Sequence, residues 1–324
     1  MYDVITVGSA TVDVFVDTDS ELIKIRSKHR SEELLAYPLG SKILIKNIEF
    51  MIGGGGTNTA VAFAKLGHKV GYLGKIGRDD GGRRVRELLR THRVDFLGSL
   101  SSEMTGYSII LDSIEHDRTI LTYKGAIDGY SFGEIKLSRL KTEWFYFSSL
   151  VDDSYKVLEK LAEYALKHRI KVAFNPSSYL AAKGSRYLGK VLKCTTVLVL
   201  NKEEAELVVG KGCVKDLLAK LRELGPRIVI VTCGKEGLYA YDGSEFLYVQ
   251  AHKLKVVEAT GAGDSFAAGF VSGLLRKNDL RFALKLGLIN AESVIQCRGA
   301  KGGLLSYRKA MRILKSMPVK VKKI

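Results

Sequence analysis

The chain has 324 residues, which at roughly 150 residues per domain means about two domains, or one large domain with an appendage. Hydrophobic residues at 46% and charged residues at 27% sit near the globular averages of about 45–50% and about 25%, which argues against disorder and fibrous repeats. Lys+Arg number 51 and Asp+Glu 35, a formal net charge of +16, so an anionic partner is expected and nucleic acid, a membrane surface and a phosphorylated small molecule all qualify.

From the first residue, Met1 to Val7 runs straight into a β-like apolar segment with no basic leader or small-residue cleavage site, so no signal peptide is expected. No stretch nears the roughly 18 apolar residues of a membrane span. Cys194, Cys213, Cys233 and Cys297 are scattered without a CxxC, which indicates neither a zinc site nor a disulfide framework. The chain therefore reads as cytoplasmic. Apolar β-branched runs recur at Val4 to Val7, Val70 to Leu73, Trp144 to Phe147, Val172 to Phe174, Val197 to Leu200 and Ile228 to Val231. Runs this short and this continuous suit strands covered on both faces. Helical patterns lie between them, at Ser154 to His168 and Val214 to Leu224, and the alternation predicts an α/β layered fold with a mostly parallel sheet.

Two segments break the rhythm. Asp17 to Glu49 is polar and strand-like at its end, and Tyr107 to Tyr123 reads as a hairpin turning at Glu115 to Asp117. Both could form a small antiparallel sheet projecting over a site; the plain alternative is an edge hairpin on the main sheet. Between them lies Gly53-Gly54-Gly55-Gly56-Thr57-Asn58, which leaves the backbone open to close approach, with Gly67 as a C-cap for the helix that follows. A dinucleotide fingerprint fails there, because Asn58 or Thr59 falls where the third glycine belongs. A P-loop reading of Gly184 to Val191 fails as well, since Val191 stands at the metal-binding Ser/Thr position. Arg83, Arg84, Arg86, Arg90 and Arg93, interleaved with Val85, Leu88 and Leu89, describe an amphipathic helix with a basic solvated face.

Later in the chain, Asn201 to Glu204 follows a strand and can serve phosphate oxygens and hydrated magnesium, or simply form a capping box. Thr232 to Gly237 follows another strand and reads equally as a turn. The strongest local signal is Glu258-Ala259-Thr260-Gly261-Ala262-Gly263-Asp264, between strand-like Leu254 to Val257 and a helix with Phe266 and Phe270 on its core face. Small residues at a helix start let backbone N–H groups of Gly261, Ala262 and Gly263 meet an anion, aided by the helix dipole. Asp264 on the same turn can act as a general base toward a hydroxyl held beside that anion; alone, it reads equally as a first-turn helix acid. The tail from Arg308 onward carries Arg308, Lys309, Arg312, Lys315, Lys320, Lys322 and Lys323 with no acid. No aromatic-interleaved basic motif or zinc-finger spacing accompanies the charge, so a nucleic-acid partner is not expected.

Taken in order, Gly8 to Asp13, the glycine run 53 to 58, Gly77 to Gly82, Asn201 to Glu204, Thr232 to Gly237 and Thr260 to Asp264 resemble the PfkB family of carbohydrate and nucleoside kinases, across essentially the whole chain. The resemblance implies one ribokinase-like domain over 1–324, an α/β three-layer αβα sandwich, with a small β-sheet lid inserted as segments 14–50 and 105–125. It implies transfer of the γ-phosphate of ATP to a hydroxyl of a small sugar or polyol. A nucleoside kinase is the alternative, and a non-catalytic ligand- or nucleic-acid-binding protein the least favoured. Asp13, Gly54, Gly55 and Asn58 would hold the acceptor, Gly261 to Gly263 would form the anion hole, and Asp264 would be the base. Asn201, Glu204, Thr232, Gly234, Gly237 and Asn290 would serve the nucleotide, with Glu204 reaching Mg2+ through water. Cys297-Arg298-Gly299-Ala300 resembles a late nucleotide-side loop of the family. Glu258 stands where the family most often has Asp, at a position tied to a monovalent cation such as K+. Lid residues would select the acceptor: Arg118 or Lys124 could meet an anionic group, and Tyr107, Tyr123 or Tyr130 a nucleobase. The acceptor, the choice between ATP and ADP, and a homodimer through the lid stay open.

Overall fold

Each of the six apolar runs forms a strand, and all six lie in one sheet in the computed structural model, which describes residues 1–18, 21–26, 31–36, 39–112 and 118–324. Val70–Leu73, Tyr2–Val7, Thr142–Phe147, Lys171–Phe174, Val197–Asn201 and Ile228–Thr232 stand side by side in that order, every neighbouring pair parallel. Asp95–Phe96 extends this sheet in parallel at one edge, and Leu238–Tyr241, Phe246–Val249 and Val321–Lys323 extend it antiparallel at the other.

Successive side chains on a strand point to opposite faces. Val4, Tyr72, Trp144, Ala173, Val199 and Ile230 belong to the core beneath the helices Gly55–Lys65, Ala262–Lys277 and Leu280–Val294. Their neighbours Ile5, Phe145, Phe174, Leu198 and Val229 belong to the core beneath Tyr155–Lys167, Gly184–Cys194 and Val214–Glu223. Helices on both faces of a parallel sheet make the three-layer αβα sandwich that the alternation predicts.

A second sheet rises from the glycine-run end of the molecule, in the order Arg118–Tyr123, Gly106–Asp112, Thr11–Thr18, Ile45–Gly53. It is mixed rather than purely antiparallel, because Gly106–Asp112 pairs in parallel with Thr11–Thr18 while its other pairings are antiparallel. The 107–123 hairpin forms as predicted, and its turn at Glu115 to Asp117 lies outside the described residues. A separate strand pair, Glu21–Arg26 with Ser31–Ala36, occupies the polar segment before Ile45. Arg298 ties this second sheet to the core. Its guanidinium donates to Glu49 Oε1 at 2.9 Å and to Asp17 Oδ1 at 3.3 Å, bridging two neighbouring strands from one side. Arg298, in the stretch Cys297 to Ala300 expected as a nucleotide-side loop, thus also holds the second sheet.

Three further expectations need correction or detail. Leu254 to Val257 is irregular: Val256 and Val257 are more than half exposed, and Val257 and Glu258 N–H both donate to Ile295 O instead of to a ladder. The arginine cluster does fall on an amphipathic helix, Asp80–Thr91, with Val85 and Leu89 buried beneath it. Arg93 lies just past its end in the left-handed region, at φ 56°. The basic tail is ordered, as the Tyr307–Ser316 helix and the edge strand Val321–Lys323.

Asn290 is engaged inside the core. Wholly buried in the Leu280–Val294 helix, it donates through Nδ2 to Ser265 O at 2.7 Å and accepts the Leu305 N–H through Oδ1 at 3.2 Å. It therefore joins two helices and the segment behind them. Asn290→Ala would leave the buried Leu305 N–H unpaired and remove a second bond to Ser265 O, which keeps its own helical partner, so urea unfolding should show a loss of about 1–3 kcal/mol, while nucleotide affinity stays within about twofold.

Candidate active site

Because the central strands are parallel, their C-terminal ends all open on one edge of the sheet, and in open α/β sheets ligands bind there. The first residues past each strand form the site. Gly8 and Ser9 follow Tyr2–Val7, Ser148 follows Thr142–Phe147, and Asn175 follows Lys171–Phe174. Asn201 and Thr232 close their own strands and face each other in register. Two loop-to-helix turns then bring Gly54 and Gly261 to this edge.

Gly54 has φ 89°, and a Cβ there would stand 2.5 Å from Ser9 O, so the glycine run lies directly against the first crossover. Gly261 caps the Ala262–Lys277 helix in the left-handed conformation at φ 78°, with a would-be Cβ 2.5 Å from Ala300 Cβ. Only glycine fits either place. The N–H groups of a helix's first turn have no intrahelical acceptor. Ala262 N–H turns back to Ala259 O at 3.2 Å, which leaves Gly261 and Gly263 as the better anion donors of the three expected. Asn175 faces the same turn, its Nδ2 3.9 Å from a would-be Cβ on Gly263.

Asp264 sits in the wall of a cavity of about 220 Å³, whose lining includes Ser9, Gly55, Ser148, Asn175 and Lys124. Its Oδ2 accepts from Asn58 Nδ2 at 2.9 Å, and its Oδ1 lies 3.5 Å from where a Gly55 Cβ would stand. Burial pushes the Asp264 carboxyl up to about 6; the Asn58 hydrogen bond and the Lys301 charge pull the other way, and Glu204 adds to the rise. Lys301 lies beside it, partly buried. Its ammonium donates to Ile52 O at 2.5 Å and to Asn58 Oδ1, and desolvation pushes it down to about 8 against the attraction of Asp13 and Asp264. Asp13 accepts from Thr11 Oγ1 at 2.7 Å and is also raised by burial. With Lys301, Met51 and Phe15 it borders a second cavity, of about 240 Å³.

Asp13, Gly54, Gly55, Asn58 and Gly261 to Asp264 thus come together from distant parts of the chain. Asn201 and Glu204 close a capping box, Asn201 Oδ1 accepting the Glu204 N–H at 2.8 Å and Glu204 Oε2 the Asn201 N–H at 3.0 Å. Ser178 Oγ also donates to Glu204 Oε1, at 3.3 Å. Among the described residues, no group of three or more His, Cys, Asp and Glu could hold a metal. A magnesium ion held mainly by phosphates and water would need few protein carboxylates, and Glu204 is one at this edge. Glu258 is buried, and its Oε2 accepts the Gly299 N–H at 2.9 Å, which joins the two segments flanking the anion turn. Gly234, at φ 53°, and Gly237, at φ 105°, form the turn after Thr232.

Tyr130 is buried in the core and cannot stack on a ligand, and Tyr107 and Tyr123 pair across the second sheet. The Arg118 side chain lies outside the description. Lys124 reaches the cavity rim, with Nζ 4.3 Å from the Tyr179 ring centre. A hollow of about 970 Å³ runs along the arginine helix and shares no lining residue with either cavity. Residue-by-residue reading missed Ser148, Asn175 and Lys301. The first two had a usable signal, being polar residues immediately after apolar strands; Lys301, one residue past the last motif stretch, had only its glycine-rich surroundings.

Comparison with known proteins agrees with this geometry. The family model described as pfkB family carbohydrate kinase matches residues 6–306. A ribokinase of Bacillus subtilis is 25% identical, the match covering 97% of this chain and 100% of that one. A cytidine kinase of Thermococcus kodakarensis is 28% identical over 83% of this chain and 94% of its own. The structure of an Arabidopsis thaliana ribokinase with ribose and ATP superposes with TM-score 0.84 at 21% identity, covering 97% and 99% of the two chains, which shows the shared fold. No helix among the described residues is long and apolar enough to cross a membrane. With its match over residues 6–306, its αβα sandwich and its two glycine-rich turns at one sheet edge, the chain belongs to the pfkB family of carbohydrate kinases, phosphotransferases that act on an alcohol group.

Proposed function

We propose that this protein transfers the γ-phosphate of ATP to a hydroxyl of a small sugar or polyol, with Asp264 as general base. The observation that carries this reading is a carboxylate at a helix N-terminus in a cavity wall, beside glycine backbone on two sides, and poised near 6. A base of that strength is ionised at neutral pH yet can still take a proton. The acceptor hydroxyl lies against Asp264 Oδ1, with its other hydroxyls on Asp13, Asn58 and the backbone of Gly54 and Gly55. As its oxygen bonds to the γ-phosphorus and the bond to the β-phosphate oxygen breaks, the proton passes to Asp264. N–H groups of Gly261 to Gly263 meet the charge on the transferring group. Asn201 and Glu204 serve the phosphate side, and Thr232, Gly234 and Gly237 the nucleotide. Magnesium, when bound, would neutralise phosphate charge, with Glu204 orienting its water. The second sheet serves as a lid, since its Asp13, Phe15 and Met51 face the cavity beside Lys301.

A nucleoside acceptor is the second reading. The exposed Tyr179 ring at the cavity rim offers a flat face for a base, and the cytidine kinase relative supports it. Phosphate transfer to a panel of sugars, polyols, sugar acids and nucleosides, with ATP and ADP as donors, separates the two. Asp264→Asn should lower kcat on the best acceptor by about 10²–10⁴-fold with nucleotide affinity kept, and equal turnover by both proteins would remove Asp264 as base. The base acts ionised, so kcat/KM of the wild type should fall on the acid side of about pH 6.

The same sheet suits a homodimer. Rows Leu121–Ile109–Val14–Phe50 and Thr119–Leu111–Val16–Ile48 lie on the face opposite Asp13. Leu121, Ile109, Phe50 and Ile48 are each 40–54% exposed, a continuous apolar patch of the kind that marks an interface. Sedimentation should show a wild-type dimer and a monomeric Phe50→Glu protein; a monomeric wild type would overturn this.

A further inference from the structure

Asn58 can be placed in two ways that differ only by exchange of its amide oxygen and nitrogen. Its neighbours admit one. The Lys301 ammonium can only donate, and an ionised Asp264 carboxylate can only accept. Oδ1 of Asn58 therefore faces Lys301, and Nδ2 faces Asp264 Oδ2, at 2.9 Å. The reverse placement would set N–H against ammonium and oxygen against carboxylate. Lys301 is itself pinned, donating to Ile52 O just before the glycine run. A relay of donors thus runs from Lys301 through Asn58 to one oxygen of Asp264, leaving Oδ1 at the Gly55 wall of the cavity.

We propose that Lys301 is a positioning residue for phosphoryl transfer: through Asn58 it decides which oxygen of Asp264 meets the acceptor, and its charge keeps that carboxylate in the ionised form. The inference rests on the reading of Asp264 as the base.

The surroundings make this charge consequential. Asp264 faces Asn58 from the Gly55–Lys65 helix, Lys301 from the segment after Ala300, Glu204 from the Lys202–Val209 helix and Tyr146 from the strand Thr142–Phe147. Asp13 on the second sheet and Glu258 beyond it add negative charge to the same neighbourhood. Burial holds the Tyr146 hydroxyl far above the usual phenol range, so it stays neutral and contributes no charge. Lys301 is the cation that acts on both Asp13 and Asp264. An opposite charge at close range typically lowers a carboxyl by about 1–3 pH units, so its removal has a readable sign.

The test is the pH profile of kcat/KM for the acceptor found by the panel, in wild type, Lys301→Met, Lys301→Gln, Lys301→Arg and Asp264→Asn. Lys301→Met should move the acid limb up by about one pH unit or more and lower kcat/KM at pH 6 by at least about tenfold, with KM for the nucleotide within about twofold. Lys301→Gln can still donate to Asn58 Oδ1, so it should show the same shift of the limb with a smaller loss at high pH. Lys301→Arg should keep the limb in place. Thermal melting with and without nucleotide shows which variants fold, and Lys301→Gln carries the test if Lys301→Met does not. An unmoved acid limb in Lys301→Met or Lys301→Gln, whether or not the rate falls, would overturn the proposal and leave Lys301 a packing residue. Full activity of Asp264→Asn would instead overturn the base itself.

Discussion

Both faces of the parallel sheet are covered by helices, and that single constraint decides where this protein can do chemistry. Strands such as Phe145–Phe147 and Val197–Leu200 are buried on each side, so their faces offer nothing polar to a ligand. Only the ends of the strands reach open space. At the C-terminal end, the chain must turn from strand to helix, which exposes backbone N–H groups and the positive ends of helices at one edge. Gly54 and Gly261 are there because the turns are too close to Ser9 and Ala300 to admit a side chain.

Burial at that edge creates the electrostatic character of the site. Asp13 and Asp264 sit where water is scarce, and both are raised by desolvation. One lysine lies between them and is lowered for the same reason. Two acids and one cation thus share a confined space, and the cation and each acid shift one another.

The basic excess that opens the sequence has a different place. The arginine helix presents its charges along a hollow separate from the cavities, and the basic tail ends as the outermost strand of the large sheet. Lys322 and Lys323 on that strand guard an edge that would otherwise template pairing with another chain. Lys323 also pairs with Glu245 at 3.1 Å. These charges belong to the surface, away from both cavities.

What the sequence by itself determined is whatever depends on near neighbours. Apolar runs located all six central strands, because a strand buried on both faces needs no polar residue for its whole length. The glycine run and the turn ending in Asp264 were visible for the same local reason, since close backbone approach and helix starts demand particular residues in a row. Tertiary structure alone decided the rest. Leu254 to Val257 has the composition of a strand but joins no ladder among the described residues, and Val257 N–H turns to Ile295 O. Asn290, expected at the nucleotide, is consumed by Ser265 and Leu305, and Gly106–Asp112 chose a parallel partner. Lys301 reaches Asn58 from 243 positions away along the chain, and no periodicity or spacing encodes such a contact. It exists because folding brings one ammonium into a pocket that two buried carboxylates have made favourable for it.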